Sequence, residues 1–317
     1  MSNHHFDIII VGAGASGLMA AVRASDQNLD VLILEHQPKA GIKILSTGNG
    51  RCNLTNSDLS SAHFRCEDSM FSRPALDAFS RQDTIRFFEE RLHLFCKEKN
   101  GYWYPRSNQA TAVREALLAG CQENGVKIRR NEQIQDIRKE NERFHIRTDK
   151  DTYSAAVCIL CCGGKAFPKS GSDGSGYRLA KAFGHSIVKP LPALMALYSD
   201  RSELFVLAGV RAWGKVSLFV NGTHVITDEG ELQFTDYGIS GIPVFQISRY
   251  VLESDGGGNS REQAAPELLG DYLNRLSKDQ RYWIEEMKRL RDADSGTEPC
   301  THLQMPDNNP DNRYMRL

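Results

Sequence analysis

The sequence predicts an α/β protein: a parallel sheet flanked by helices, carrying an antiparallel β-meander, and joined to a β-rich second domain. Three observations predict it. A strand, a glycine turn, a helix and a second strand follow one another at the N-terminus. Short alternating runs lie between Gln133 and Gly164. Two further alternating runs flank Asn221-Gly222, a strong hairpin signal.

The first unit is "FDIIIVGAGASGLMAAVRAS" and "DVLILEH". An apolar strand over Phe6 to Val11 enters a glycine turn and then a helix rich in alanine, leucine and methionine. "DVLILEH" is a second buried strand, so the unit implies a parallel pair with a right-handed crossover. A helix is expected in "DTIRFFEERLHLF", with Asp83 as N-cap and Ile85, Phe88 and Leu92 on one face. Another runs through "NQATAVREALLAGCQENG" and stops at Gly125. "VKIRR" is a strand, and "QIQDIRKENERFHIRTDKDTYSAAVCILCCGG" reads as antiparallel strands leading back into a buried one. His4 and His5 fall in a start expected to be flexible. His185 follows a helix and is expected to cap it.

From residue 191 the character changes to β-rich, through the hairpin "GKVSLFVNGTHVITDEGELQFT". "ESDGGGNSREQ" reads as a flexible link, with a mixed-charge helical segment and a disorder-like tail beyond it. The expected division is 1–190, 191–253 and 254–317.

Composition narrows the function. The 317 residues are 40% hydrophobic and 25% charged, with a formal net charge of -1. That is ordinary for a globular protein and argues against one that coats nucleic acid, though not against a local basic patch. The apolar run from Ile8 to Val22 is too short to span a bilayer and is broken by three glycines. It lacks the pattern of a signal peptide, so a cytoplasmic location and no membrane partner are expected. Eight cysteines without a pairing framework fit a reducing compartment. Cys158 and Cys161 form a C-x-x-C inside a predicted strand, where their side chains would face apart. Core packing is therefore expected there, and no metal site.

Chemistry enters with Gly12-x-Gly14-x-x-Gly17, placed between a predicted strand and a predicted helix. The first glycine permits the tight turn, the second lets backbone approach a pyrophosphate, and the third lets helix and strand pack closely. The helix N-terminus offers free N–H groups to phosphates. Glu35 closes the second strand, about twenty positions further on, where a carboxylate can bind both ribose hydroxyls of an adenosine. These features read as a dinucleotide site, for NAD or FAD. The next stretch, "GIKILSTGNGRCNLTN", has no hydrophobic period and is neither an ordinary helix nor an ordinary strand. It supplies backbone amides at Gly48 and Gly50, side-chain amides at Asn49 and Asn53, and the cations Lys43 and Arg51.

"VGAGASGLMAA", "GIKILSTGNGRCNLTN", "GYWYPRSNQATAV", "CCGGKAFPKSGSDGSGYRLAKAFGH" and "FTDYGISGIPVFQIS" together resemble the BaiN-type, or aminoacetone oxidase-like, family of bacterial NAD(P)/FAD-dependent oxidoreductases. The resemblance runs to about Ser248. It implies a Rossmann-like FAD-binding domain with a β-rich domain inserted. It implies that Gly12, Gly14, Ala15, Ser16 and Gly17 hold the pyrophosphate, Glu35 the ribose and the backbone of Ile134 the adenine edge. Lys43 and Gly48, Asn49, Gly50, Arg51, Cys52 and Asn53 would line the flavin side, and Gly163 and Gly164 would approach the cofactor closely. The glycines of "GSDGSGY" are either structural or ligating.

Family members end with a glycine-rich segment that returns to the flavin. This chain runs instead through "TEPCTHLQMPDNNPDNRYMRL", so a shortened FAD domain is expected. The implied activity is hydride transfer between flavin and a small organic substrate, with NAD(P)H as donor. The alternatives are a reductase making dihydrouridine in ribosomal RNA, which the net charge does not support, and a cofactor-free remnant without catalysis. Cys52, beside the Arg51 cation, is the candidate acid; otherwise it is a small residue packed under the ring. The substrate and the oligomeric state are not legible.

Overall fold

Strand β1 (His4–Val11) is apolar on both faces because both are covered. Ile8 and Ile10 enter one apolar cluster, and Ile9 and Val11 the other. The computed structural model describes residues 4–64, 68, 70–199, 202–220 and 223–254. Two units divide between Val188 and Lys189.

In the first unit, β1 pairs in parallel with β2 (Val31–Leu34), whose four residues are all buried. Helix α1 (Ala15–Ser25) crosses between them and turns Leu18, Ala21 and Val22 to the sheet. After β2 come the short strands β3 (Thr55–Asn56), β4 (Cys96–Lys99) and β5 (Tyr102–Pro105), which form a separate antiparallel sheet in the order β3-β5-β4. Helices α2 (Arg73–Ala78) and α3 (Arg81–Arg86) lie between β3 and β4. Helix α4 (Ala110–Glu123) buries Ala110, Val113, Leu117 and Cys121 in the same cluster as α1. Gly125 ends it with φ +72.

β6 (Lys127–Arg129) joins β2 in parallel. β7 (Ile134–Glu140), β8 (Arg143–Thr148) and β9 (Thr152–Leu160) form the antiparallel run, and β9 pairs in parallel with β1. The full order is β6-β2-β1-β9-β8-β7. Helix α5 (Ser175–Ala182) follows. Gly184 N donates to Lys181 O and His185 N to Ala180 O, a Schellman end, so His185 caps the helix through its backbone.

The second unit is an antiparallel sheet of β10 (Leu197–Tyr198), β11 (Arg211–Val220), β12 (Thr223–Thr235) and β13 (Gly238–Gly241), in the order β10-β13-β12-β11. Helix α6 (Ile242–Ser254) covers one face with Val244, Ile247 and Val251. Asn221 and Gly222 lie outside the described residues. The strands around them pair from Arg211 with Gln233 to Val220 with Thr223, the register of a two-residue hairpin. The expected link, helical segment and tail beyond residue 254 also lie outside the described residues.

Three expectations are corrected. His4 and His5 are not a loose start but the first residues of β1, with His5 Nδ1 2.6 Å from Ser154 Oγ. Asp83 is not an N-cap. Ser80 is, and Asp83 is the third helical residue of a reciprocal capping box. The helix from residue 81 does not stay regular to Phe95. It widens into a π turn over Phe87–Arg91 and stops before His93, which takes φ +52. Phe87 and Phe88, at the start of this turn, are both buried in the core, their rings edge to face.

Candidate functional site

A cleft of ≈ 410 Å³ opens beyond the C-terminal ends of β1 and β2, within the size range of small-molecule sites. Its floor is the turn from Val11 to Ser16. Ile44 and Cys52 line it from the cluster on one sheet face, Ile134 and Leu179 from the cluster on the other. The cleft thus passes over the sheet's end from one face to the other. A crevice at the carboxyl ends of parallel strands is the expected ligand position in such sheets.

The three glycines of the turn have different physical reasons. Gly12 has φ +103, and a Cβ there would stand 2.5 Å from Cys161 O. A Cβ on Gly17 would stand 1.9 Å from Gly12 O, so helix and strand could not pack as closely. Gly14 has an ordinary φ of -78, and a Cβ would meet nothing within 4 Å. The protein itself therefore does not require glycine at 14, and the space in front of it belongs to the cleft. Gly14 is also the N-cap of α1, and no side chain caps it, leaving first-turn N–H groups available.

Glu35 is buried and lines the cleft. Its Oε2 accepts from Ala13 N at 2.7 Å and its Oε1 from Gln37 N at 2.7 Å, so it also fixes the glycine turn. His36 Nδ1 lies 3.3 Å from Oε1.

The second loop folds as irregular helical turns over Ile42–Gly50, with Thr47 extended and Gly48 and Asn49 left-handed. Gly41 N donates to Ala13 O at 2.8 Å, tying this loop to the first. Lys43, Thr47, Cys52 and Asn53 reach the cleft. Gly48, Asn49, Gly50 and Arg51 do not line it, and neither do Gly17 and Gly164. Arg51 instead packs its guanidinium over the Tyr104 ring, 5.1 Å from the centroid, and donates from Nε to Gly48 O. Asn53 uses its amide nitrogen on Thr55 O and Trp103 O, fastening the loop to the small sheet.

Cys52 is buried with φ +60. Burial pushes its thiol up, and a hydrogen bond with Thr47 pulls partly the other way. The expected lowering by Arg51 is absent because that cation is turned toward Tyr104. Cys161 and Cys162 also line the cleft, with burial pushing Cys161 up and Cys162 to about 11. Cys158 packs in one face's cluster and Cys161 in the other's, so the C-x-x-C pair does face apart. Among the described residues no group of three or more side chains could hold a metal ion.

Ile134 and Gly163 line the cleft. The glycines of "GSDGSGY" sit in close packing, and Gly171 also lines the cleft. A Cβ on Gly171 would stand 2.9 Å from His36 Cε1, and one on Gly174 2.7 Å from Lys165 Cγ. Sequence reasoning missed Glu132, Gln133, Ser172 and Arg178, which also line the cleft. Glu132 and Gln133 follow β6, the strand paired with β2, in polar sequence without a motif, while Ser172 and Arg178 follow β9 in the quoted glycine-rich stretch, where only the glycines drew notice.

Fold, cleft and glycine turn define a Rossmann-type dinucleotide-binding protein. The chain belongs to the HI0933-like family: the HI0933-like protein Rossmann domain matches residues 6–269. A 3-dehydro-bile acid delta(4,6)-reductase of Clostridium scindens is 44% identical over 244 residues, 76% of this chain and 59% of that protein. Ribosomal RNA dihydrouridine synthases of Haemophilus influenzae and Escherichia coli are 28% and 29% identical, each over 248 residues and 61% of their own length. The chain thus spans about three fifths of the length of these relatives. Among the described residues no helix is long and apolar enough to cross a membrane.

Proposed function

We propose that this protein is an FAD-dependent oxidoreductase that moves a hydride between flavin and a small organic substrate, with NAD(P)H as electron donor. The observation that carries the reading is Gly14, which lines the cleft at the start of α1 and whose missing Cβ would meet no protein atom within 4 Å. Bound there, FAD supplies an isoalloxazine that accepts or donates a hydride.

The chain's own residues do the rest. The turn from Gly12 to Ser16, which includes the start of α1, would hold the pyrophosphate with backbone N–H groups. Glu35, already fixed by two backbone amides, presents its remaining lone pairs to the ribose. The backbone at Ile134 meets the adenine edge, and Gly163 lets the chain after β9 come close. Lys43, Thr47, Cys52 and Asn53 form the flavin side, and Gly48 to Arg51 shape that loop from behind. Cys52, kept protonated by burial, is placed to hold a proton for the substrate. Replacing Cys52 by alanine should leave flavin bound and slow turnover; unchanged turnover would remove it from the chemistry.

The higher identity to the bile acid reductase, 44% against 28% and 29%, favours a steroid-like small molecule over ribosomal RNA as substrate. Steady-state oxidation of NADH or NADPH tests this, with a 3-dehydro-bile acid in one reaction and ribosomal RNA in another. Faster oxidation with the bile acid supports the proposal. Acceleration by RNA alone would replace it with the dihydrouridine reading.

A further inference from the structure

Glu35 and Glu132 are the buried carboxylates among the described residues, and both line the cleft. Glu35 has evident work, and Glu132 does not. Its residue is 4% exposed, and its Oε1 accepts from Tyr153 OH at 2.6 Å, with the Thr148 hydroxyl 2.9 Å away. Tyr153 and Thr148 are themselves buried, so the carboxylate is held in one orientation. Its other oxygen, Oε2, has no donor among the described residues, yet it is not one of their sealed, unpartnered atoms. It is therefore open to the cleft. A ligand that fills the cleft shuts this oxygen off from water, and leaving it there without a donor is costly. That cost points to a donor arriving with a ligand.

Position narrows which donor. Glu132 N donates to Glu35 O at 3.0 Å, placing it next to the residue assigned to the ribose. Ile134 and Leu179 give the cleft an apolar wall on the same sheet face. A purine lying beyond the ribose would meet that wall with its flat surface and Glu132 with its edge.

We propose that Glu132 Oε2 accepts from the exocyclic amine of the bound purine, making Glu132 the residue that selects adenine over a 6-oxopurine. This rests on the dinucleotide reading of the cleft. An ionised carboxylate only accepts hydrogen bonds. A 6-amino group satisfies it, whereas a 6-oxo group brings a second acceptor against it, so selection works by attraction and by repulsion.

The test is calorimetric titration of the full chain, cleared of co-purified flavin, with ADP and with IDP. ADP should bind at least about tenfold tighter than IDP, the scale of one hydrogen bond to a charged group. Glu132→Gln keeps an oxygen for Tyr153 and Thr148, so its thermal unfolding should stay close to that of the parent. Its new amide can donate to the 6-oxo group, and the ADP-to-IDP ratio should fall toward one. Equal binding of ADP and IDP by the unaltered protein would overturn the inference while leaving the nucleotide site standing. A full ratio retained in Glu132→Gln would overturn it too. Failure to bind either nucleotide would overturn the site reading as well.

Discussion

A methyl group on Gly17 would collide with Gly12 O, while one on Gly14 would meet no protein atom. The two substitutions should therefore separate folding from binding. Gly14→Ala should change stability by less than about 1 kcal/mol, as expected at an uncapped N-cap, and weaken FAD uptake at least about tenfold. Gly17→Ala should cost about 1–3 kcal/mol through overpacking, read as a lowered denaturation midpoint. If Gly14→Ala bound FAD as well as the parent, the space before Gly14 would not be the pyrophosphate site. The glycine pattern was legible at this scale because Gly12 and Gly17 answer local steric demands of the turn and Gly14 stands at its fixed spacing between them. Glu132 was not, because its partners Thr148 and Tyr153 are distant in sequence and nothing in "RRNEQIQD" announces them. Arg51 was misread for the same reason: the ring it covers, Tyr104, lies more than fifty positions away.

The element that most depends on its neighbours is the loop over Ile42–Gly50. Its left-handed residues deny it a regular ladder of hydrogen bonds. It is held from outside: Arg114 on α4 donates to Ala40 O at 2.7 Å, and its side chain packs against Gly41. Arg114→Met keeps the packing and removes the donor from a buried carbonyl, a loss of about 1–3 kcal/mol. The variant should stay folded by circular dichroism and release flavin faster than the parent; an unchanged release rate would show that the loop does not grip the cofactor. Elements with a clear period, such as β1, β2, α1 and α4, were legible because burial on a fixed face writes that period into the sequence. The stretch from Phe87 to His93 was not, since its apolar spacing reads as a regular helix and does not distinguish a π turn.

For the whole molecule, buried thiols set a pH limit. Burial pushes Cys96 and Cys162 to about 11 and Cys121 and Cys158 to about 12. The unfolded thiols lose their protons near 9. Above that pH the folded chain holds more protons than the unfolded one. The stability these groups contribute is thus complete below about pH 9 and lost as pH rises toward 12. Urea midpoints should be level between pH 7 and 8.5 and fall by pH 10.5; a midpoint that rose with pH would contradict the buried placement of these cysteines. The α/β and β-rich organisation of the molecule was readable from pattern alone, and the family from its motifs. Substrate identity was not, because no stretch of sequence encodes a pocket assembled from separate segments.

The proposal that the cleft over Gly14 holds FAD can be put to one measurement. Its most direct test is the visible absorption spectrum of the purified protein, followed by heat release and identification of the flavin. A cleft that holds FAD gives a yellow protein that releases FAD in a one-to-one ratio. A colourless protein that also fails to take up added FAD would contradict it.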